Sequence, residues 1–390
     1  MAPQVIIGGP VKILVLNYEY PPIGGGGGRV SQVLGRQLAR RGHQITVLTS
    51  RIQGMERDDW TDGYRVHRVR CFRRRADRCT VPEMFAYVIA SAAPALALAR
   101  RWRPDIMHVH FAVPTGPVAY LVHRLMSIPY VITAHLGDVP GGVPEQTERL
   151  FRWLGRFTVP IWRAASAVTA VSSFTAGLAE RAYGISPVVI PNGMDVSRYS
   201  TTVRRPSSPI RFVWVGRFQA QKNLLFGLQR LADVQDLDWR LDLVGDGPDR
   251  EEAEGLTRAT GLSDRVTFHG WVTPDQADRV MAGADVLYVT SLSEGLSLVT
   301  VQALACGLAI VGSRIGGLTD VVEDGVNGLL CSLEDPEAFV KALRYVCEDP
   351  DRLIRMKAAS RARAERFDLE RITDQYEGVF RAVLARPGAR

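Results

Sequence analysis

Cysteine is scarce in this 390-residue chain, and Cys71, Cys79, Cys306, Cys331 and Cys347 form no CxxC pair. An odd, scattered set argues against a disulfide framework or a zinc site and favours reduced thiols in the cytoplasm. Long apolar runs are missing too: the uncharged stretch from Met84 to Ala99 is broken by Pro94. It falls short of the roughly 20 residues that cross a bilayer, so no transmembrane helix is expected. No charged segment precedes the N-terminal apolar run, and no signal peptide is expected. Neither GxGxxG nor GxxxxGK[ST] occurs, which disfavours dinucleotide binding and Walker-type phosphate binding. Glycine and proline, 36 and 22 residues, are spread along the chain, so collagen-like and low-complexity classes are excluded.

What is present is a globular composition, 46% hydrophobic and 23% charged, long enough for two separate cores. Charge is divided unevenly. Residues 1–200 hold 24 Lys and Arg against 13 Asp and Glu, while residues 201–390 hold 24 against 28. The excess gathers in "RVHRVRCFRRRADR" (65–78) and in "TERLFRWLGRFTVPIWRAAS" (147–166). In the second stretch Leu150, Phe151, Leu154 and Phe157 recur near helical spacing among Arg149, Arg152 and Arg156. That pattern suits either a helix on an anionic membrane surface or a solvated basic face. No nucleic-acid-binding motif accompanies the charge.

The order of apolar segments points to α/β architecture. "VKILVLNY", "QITVLTS", "DIMHVHFA", "PYVITAH", "ASAVTAVS" and "PVVIPNG" alternate with helical patterns, and a second series follows: "IRFVWVG", "WRLDLVG", "VTFHGW", "ADVLYVT", "LAIVGS" and "NGLLCS". Near-continuous apolar strands alternating with helices indicate parallel sheets covered on both faces. Two doubly wound domains are therefore expected, residues 1–202 and 203–367, joined through the Pro/Ser segment "VRRPSSP". The stretch from Asp351 to Leu384 reads as helical, with its final part (368–390) returning to the first domain. Ligands of such sheets sit at the carboxyl ends of the strands.

Gly24 to Gly28 stand between the first strand and a helix in which Val30, Leu34 and Leu38 recur every four residues. Bare N–H groups at a helix start suit a phosphate or sugar oxygen, so Gly26 and Gly27 are candidate ligand contacts. A flexible turn is the competing reading. In the second half, "VGRFQAQKN" sets Arg217 and Lys222 just past a strand, where two cations can neutralise a diphosphate. "SLSEGLSLVTVQALACG" sets Glu294 at a strand-to-helix junction, with Gly295, Leu296 and Ser297 opening the helix. The amides suit a phosphate and the carboxylate suits sugar hydroxyls, although a carboxylate there also stabilises a helix by itself. Asp236 and Asp238 form a DxD ahead of a strand and read as a surface turn. His108 and His110 form an HxH at a strand end without a neighbouring carboxylate ligand, so no metal is assigned.

Taken in order, "PPIGGGGG", "TAHLGD", "AVS", "IPNGMD", "VGRFQAQKN", "LVGDGP", "FHGWV", "EGLSLVTVQALACG", "IGGLTDVVEDGVNGLL" and "RFDLERITDQYEGVF" resemble the glycosyltransferases of family 4 nearly end to end. The resemblance implies the GT-B fold, two Rossmann-like domains facing a central cleft. It also implies retaining transfer of a hexose from a UDP- or GDP-sugar to a glycan, lipid-linked or small-molecule acceptor in cell-envelope or glycan biosynthesis. No metal or other cofactor is expected, and the setting would be cytoplasmic or peripheral at the inner membrane face. Arg217 and Lys222 would bind the diphosphate, Glu294 the sugar hydroxyls, and the amides of Gly295, Leu296 and Ser297 sugar and phosphate. Gly245, Gly247 and Trp271 would border the nucleotide, and His135 of "TAHLGD" the anomeric centre. The role of Asp138 is left open. Where the family usually carries a second glutamate for the ribose, this chain has Gln302, and Asn223 follows Lys222 where glycine is common. An epimerase or a non-catalytic sugar-nucleotide-binding protein on the same plan is the alternative.

Overall fold

The computed structural model describes residues 9–76, 78–206 and 208–386. Residues 1–8, where the signal-peptide expectation falls, Ser207 of the expected linker, and residues 387–390 of the returning segment lie outside the described residues. The chain divides into two compact units, Met1–Gly193 with Leu369–Arg390, and Met194–Asp368.

In the first unit the strands are β1 (Lys12–Leu16), β2 (Gln44–Arg51), β3 (Asp58–Thr61), β4 (Tyr64–Arg70), β5 (Ile106–His110), β6 (Tyr130–Ala134), β7 (Ala167–Ala170) and β8 (Val188–Val189). They form one sheet in the order β3-β4-β2-β1-β5-β6-β7-β8, parallel apart from the antiparallel β3/β4 pair. Its middle strands are buried along their length, β5 and β6 at every position, which is why those two carry no Asp, Glu, Lys or Arg and read as near-continuous apolar runs. The β3–β4 hairpin was not legible among the basic residues. Its turn is Asp62-Gly63, both at positive φ (55° and 88°), a combination suited to two-residue hairpins.

The second unit contains β9 (Ile210–Val215), β10 (Trp239–Val244), β11 (Val266–Gly270), β12 (Val286–Val289), β13 (Ala309–Ser313) and β14 (Gly328–Cys331). Their order is β11-β10-β9-β12-β13-β14, and every pairing is parallel. The second unit begins at Met194, ahead of the expected residue 203. The reason is that Met194 N donates to Phe367 O at 3.0 Å and Arg361 Nε to Ser200 O at 3.0 Å.

The stretch from Asp351 to Leu384 is two helices with different allegiances. Helix Pro350–Ala364 buries Leu353 and Met356 in the second core. Helix Leu369–Leu384 belongs to the first unit, where Ile372, Tyr376, Phe380 and Val383 pack with Ile13, Val15, Leu34 and Ile106. Arg41 anchors it to Asp374 (2.6 Å) and Glu377 (3.2 Å). Each sheet has a point where consecutive strands leave in opposite directions, β1/β5 in the first unit and β9/β12 in the second. The carboxyl ends at these points are where ligands of doubly wound sheets bind.

Candidate active site

At the β9/β12 switch point the chain leaves β9 through Gly216 and Arg217, makes a short turn over Ala220–Lys222, and enters helix Leu224–Ala232. Asn223 ends that turn at φ 51°, a left-handed position that asparagine accepts better than most residues. This explains how it replaces the usual glycine. Thr290, just past β12, sets its Oγ1 3.1 Å from Lys222 O and 3.0 Å from Asn223 O, pinning one loop to the other. Leu292 N donates to Gln221 O at 2.8 Å, and Gln221 Nε2 donates to Ser293 O at 3.1 Å. The two loops are thus stitched through both backbone and side chain.

These contacts bring Lys222 and Glu294 together as an ion pair, their side chains only 20% and 10% exposed. Ser291 Oγ donates to the same carboxylate oxygen at 2.8 Å. An ion pair so enclosed is costly to break from one side, because the surviving charge keeps its desolvation penalty. Arg217 stands half-buried at the start of the same loop. After Glu294 the chain passes Gly295 and Leu296 to Ser297, which precedes helix Leu298–Ala305. Gly317 N donates to Glu294 O at 2.9 Å, and a Cβ on Gly317 would lie 1.4 Å from Gly295 O. The backbones of these two loops touch, which fixes the amides that follow Glu294.

Other expected contacts are placed differently from one another. Gly245 has φ 134°, and a Cβ there would sit 1.8 Å from Gly216 O; on Gly247 it would sit 2.2 Å from Phe218 O. Both glycines are required by the close pass of their own neighbouring loop. Gly245 N donates to Gly270 O at 2.9 Å, bringing Trp271, 66% exposed, to the same strand ends. Gln302 donates its amide to Asp278, which also accepts from Tyr199 Oη at 3.2 Å. Asp236 is held by both guanidinium nitrogens of Arg344 (2.7 and 2.9 Å), and Asp238 by the Ser208 hydroxyl. Among the described residues no three His, Cys, Asp or Glu side chains are grouped to hold a metal ion.

In the first unit the glycine run has an unexpected explanation. A Cβ on Gly27 would come 2.3 Å from Phe111 Cζ, on Gly28 2.9 Å from Glu19 O, and on Gly24 2.7 Å from Glu19 Oε2. At those three positions the close neighbour is the protein itself, not a ligand. Gly25 and Gly26 face open space, the latter at the first position of helix Gly26–Arg40.

Phe111 in turn lies against His135, ring centroids 4.4 Å apart, and its own backbone is left-handed at φ 64°. For a bulky residue that conformation is strained, and such strain concentrates at functional sites. His135 Nε2 lies 3.0 Å from His110 Nδ1, and His108 Nε2 lies 2.8 Å from Thr133 Oγ1. Burial holds His108 and His135 down to about 3, and burial together with the neighbouring histidines holds His110 well below its ordinary value. All three imidazoles are neutral near pH 7. Asp138 accepts from His135 N and Ala112 N, each at 2.8 Å, yet burial outweighs those bonds and raises it to about 6.

Comparison with known proteins agrees with this arrangement. The profile described as glycosyltransferase family 4 matches residues 24–198, and that described as glycosyl transferases group 1 matches residues 209–349. The chain is 30% identical over 313 residues to a D-inositol 3-phosphate glycosyltransferase of Segniliparus rotundus, covering 74% of this chain and 68% of that one. It belongs to the family 4 glycosyltransferases. This glycosyltransferase is also 29% identical to an N-acetyl-alpha-D-glucosaminyl L-malate synthase of Bacillus anthracis, over 94% of this chain and 96% of that one. Sucrose-phosphate synthase from Thermosynechococcus elongatus shares its fold, with a TM-score of 0.84 and 21% identity over 96% and 99% of the two chains. The fold is GT-B.

Several residues of the glycosyltransferase had no signal in its sequence. Gln221 and Asp278 support the loop and Gln302 only because chain crossings bring them there, and Ser291 reaches the Glu294 carboxylate through a local turn three residues long. Phe111 could have been suspected only from its place one residue past a strand end.

Proposed function

We propose that the protein is a retaining hexosyltransferase that takes a UDP- or GDP-sugar as donor, bound by the second unit at the β9/β12 switch point. The observation that carries this reading is the Lys222–Glu294 pair, a cation and a carboxylate held side by side by two stitched loops. Lys222 and Arg217 would neutralise the diphosphate, and Glu294 would accept sugar hydroxyls. The amides of Gly295, Leu296 and Ser297 would meet sugar and phosphate oxygens, while Gly245, Gly247 and Trp271 would border the nucleotide. As the anomeric bond breaks, negative charge grows on the leaving diphosphate, and fixed cations stabilise it without reorganisation. In this reading no metal is used: two cations serve the leaving group, and Asp236 and Asp238 are committed to Arg344 and Ser208.

The acceptor in this reading is a hydroxyl compound. Relatives named for inositol phosphate glycosylation and for glucosaminyl malate synthesis favour a small acceptor. A lipid-linked or glycan acceptor is favoured instead by helix Pro144–Arg163, where Trp153 and Phe157 are 79% and 63% exposed beside Arg149, Arg152 and Arg156. Apolar rings among arginines suit the inner face of an anionic membrane, with the protein in the cytoplasm.

The test is thermal stabilisation and nucleoside diphosphate release across a panel of sugar nucleotides, with magnesium and with EDTA. One donor that both stabilises the protein and is slowly hydrolysed in EDTA is the expected result. Release only with magnesium would end the metal-free scheme, and a protein indifferent to every donor would end the transferase reading.

A further inference from the structure

The basic segment of residues 65–78 builds a feature that donor binding in the other unit does not use. β2 and β4 are parallel neighbours whose register sets Arg51 opposite Arg70. Like charges directly opposite each other destabilise a ladder. Other arginines of this region have acidic partners: Arg65 has Asp58, Arg68 has Asp59 and Arg73 has Glu19. Among the described residues no ion pair or hydrogen bond engages the guanidinium groups of Arg51, Arg70 or Arg74, although Arg74 N donates to the Glu83 carboxylate at 3.0 Å. Yet these three line one cavity of about 720 Å³, the size of a small-molecule site.

The cavity carries a second cost. Phe72, also in its wall, is 77% exposed and left-handed at φ 58°. An aromatic ring held in water by strained backbone gains nothing from folding. The neighbouring Arg73 explains why the strain persists, since it is buried and donates to Tyr18 O at 3.2 Å and Ala76 O at 3.3 Å. With Arg73 locked inward, Phe72 and Arg74 are displayed outward. A smaller adjoining cavity of about 260 Å³ shares Arg51 and Arg70 and is walled by Ala90 and Pro94 of helix Val81–Trp102. On that helix Phe85 and Ile89 are 50% and 78% exposed.

We propose that this cavity is a phosphate-ester site in which Arg51, Arg70 and Arg74 hold the anion and the ligand's uncharged body lies against Phe72. Guanidinium forks match phosphate oxygens, and an anion between Arg51 and Arg70 turns their repulsion into binding. A solvated basic face would spread its charges; here two of the three are register partners on adjacent strands and all line one concavity. The ligand is either a soluble phosphate compound or a lipid headgroup, the latter using the apolar face with Phe85 and Ile89.

The experiment measures binding of inorganic pyrophosphate, and co-sedimentation with phosphatidylcholine vesicles with and without phosphatidic acid. Both are done in an Arg217→Ala, Lys222→Ala background so that the donor site does not contribute. Binding that persists in this background, weakens with salt, and falls at least tenfold in Arg51→Gln, Arg70→Gln, Arg74→Gln is the expected result. Pyrophosphate alone identifies a soluble ligand, and capture by phosphatidic acid vesicles identifies a lipid one. Binding of neither probe, or binding indifferent to the three arginines, overturns the site. The melting temperature of Arg70→Gln without ligand adds a readout: it should hold or rise, because a like-charge pair is removed, and a fall would mark Arg70 as structural. Since pyrophosphate and vesicle binding do not depend on glycosyl transfer, failure here and failure of the transferase reading are told apart.

Discussion

Gln302 donates its side-chain amide to the carboxylate of Asp278, and that single contact accounts for a glutamine at the position where the family resemblance implies a glutamate. Two carboxylates in contact cannot both ionise without a large penalty. Gln302→Glu should therefore lose stability, about 1.5–3 kcal/mol, the worth of a hydrogen bond to a charged group, without tighter donor binding. Adding Asp278→Asn should restore it. Denaturant melts of the single and double variants decide this, and an undiminished single variant with stronger donor affinity would reverse the explanation.

Removing one partner of the Lys222–Glu294 pair leaves a nearly buried charge alone. Glu294→Ala should cost about 3 kcal/mol of stability and at least a hundredfold in turnover. Glu294→Gln should keep more of the stability yet still lose turnover. Lys222→Ala should weaken binding of the bare nucleoside diphosphate as well as the sugar nucleotide. Calorimetric titration checks the last point, and unchanged affinity would remove Lys222 from the diphosphate.

Gly27 and Gly26 should respond oppositely to the same change. Gly27→Ala places a methyl group 2.3 Å from the Phe111 ring and should cost about 1–3 kcal/mol by overpacking. Combining it with Phe111→Ala relieves that clash. Gly26→Ala meets nothing within 4 Å and should leave stability nearly intact. A loss of ligand binding in Gly26→Ala without loss of stability would show that its open side receives ligand.

Acid should destabilise the first unit through its histidines. His108 and His135 titrate near 3 when folded, and His110 well below its ordinary value, against about 6.5 unfolded. Below that value the unfolded chain takes up protons that the folded one refuses. Stability is full above pH 6.5 and falls with pH, by up to about 1.4 kcal/mol per unit for each histidine. Asp138, raised to about 6, works against this between pH 6 and its ordinary value, offsetting one histidine. Unfolding midpoints from about pH 7 to about pH 4.5 should decline, and less steeply in His110→Gln; parallel curves for the two proteins would contradict the neutral cluster.

The sequence carried the architecture because a sheet buried on both faces must be written as continuous apolar strands. β5, β6, β9 and β13 are visible in that way, and Arg217, Lys222 and Glu294 were visible as charged residues just beyond strand ends. The β3–β4 hairpin was hidden because its alternation is filled with arginines, with a buried Arg68 taking a position that an apolar residue would mark.

What only the tertiary structure decided is which groups meet. The Lys222–Glu294, Gln302–Asp278 and Gly27–Phe111 contacts each join residues far apart in the chain. Local pattern reports burial and period, and those hold whatever lies opposite. The partner is set by strand order, which brings the ends of β9 and β12 together although β10 and β11 lie between them in sequence. For the same reason a run of glycines announced that something comes close to the backbone, and only the fold showed that at three of five positions it is the protein's own Phe111 and Glu19.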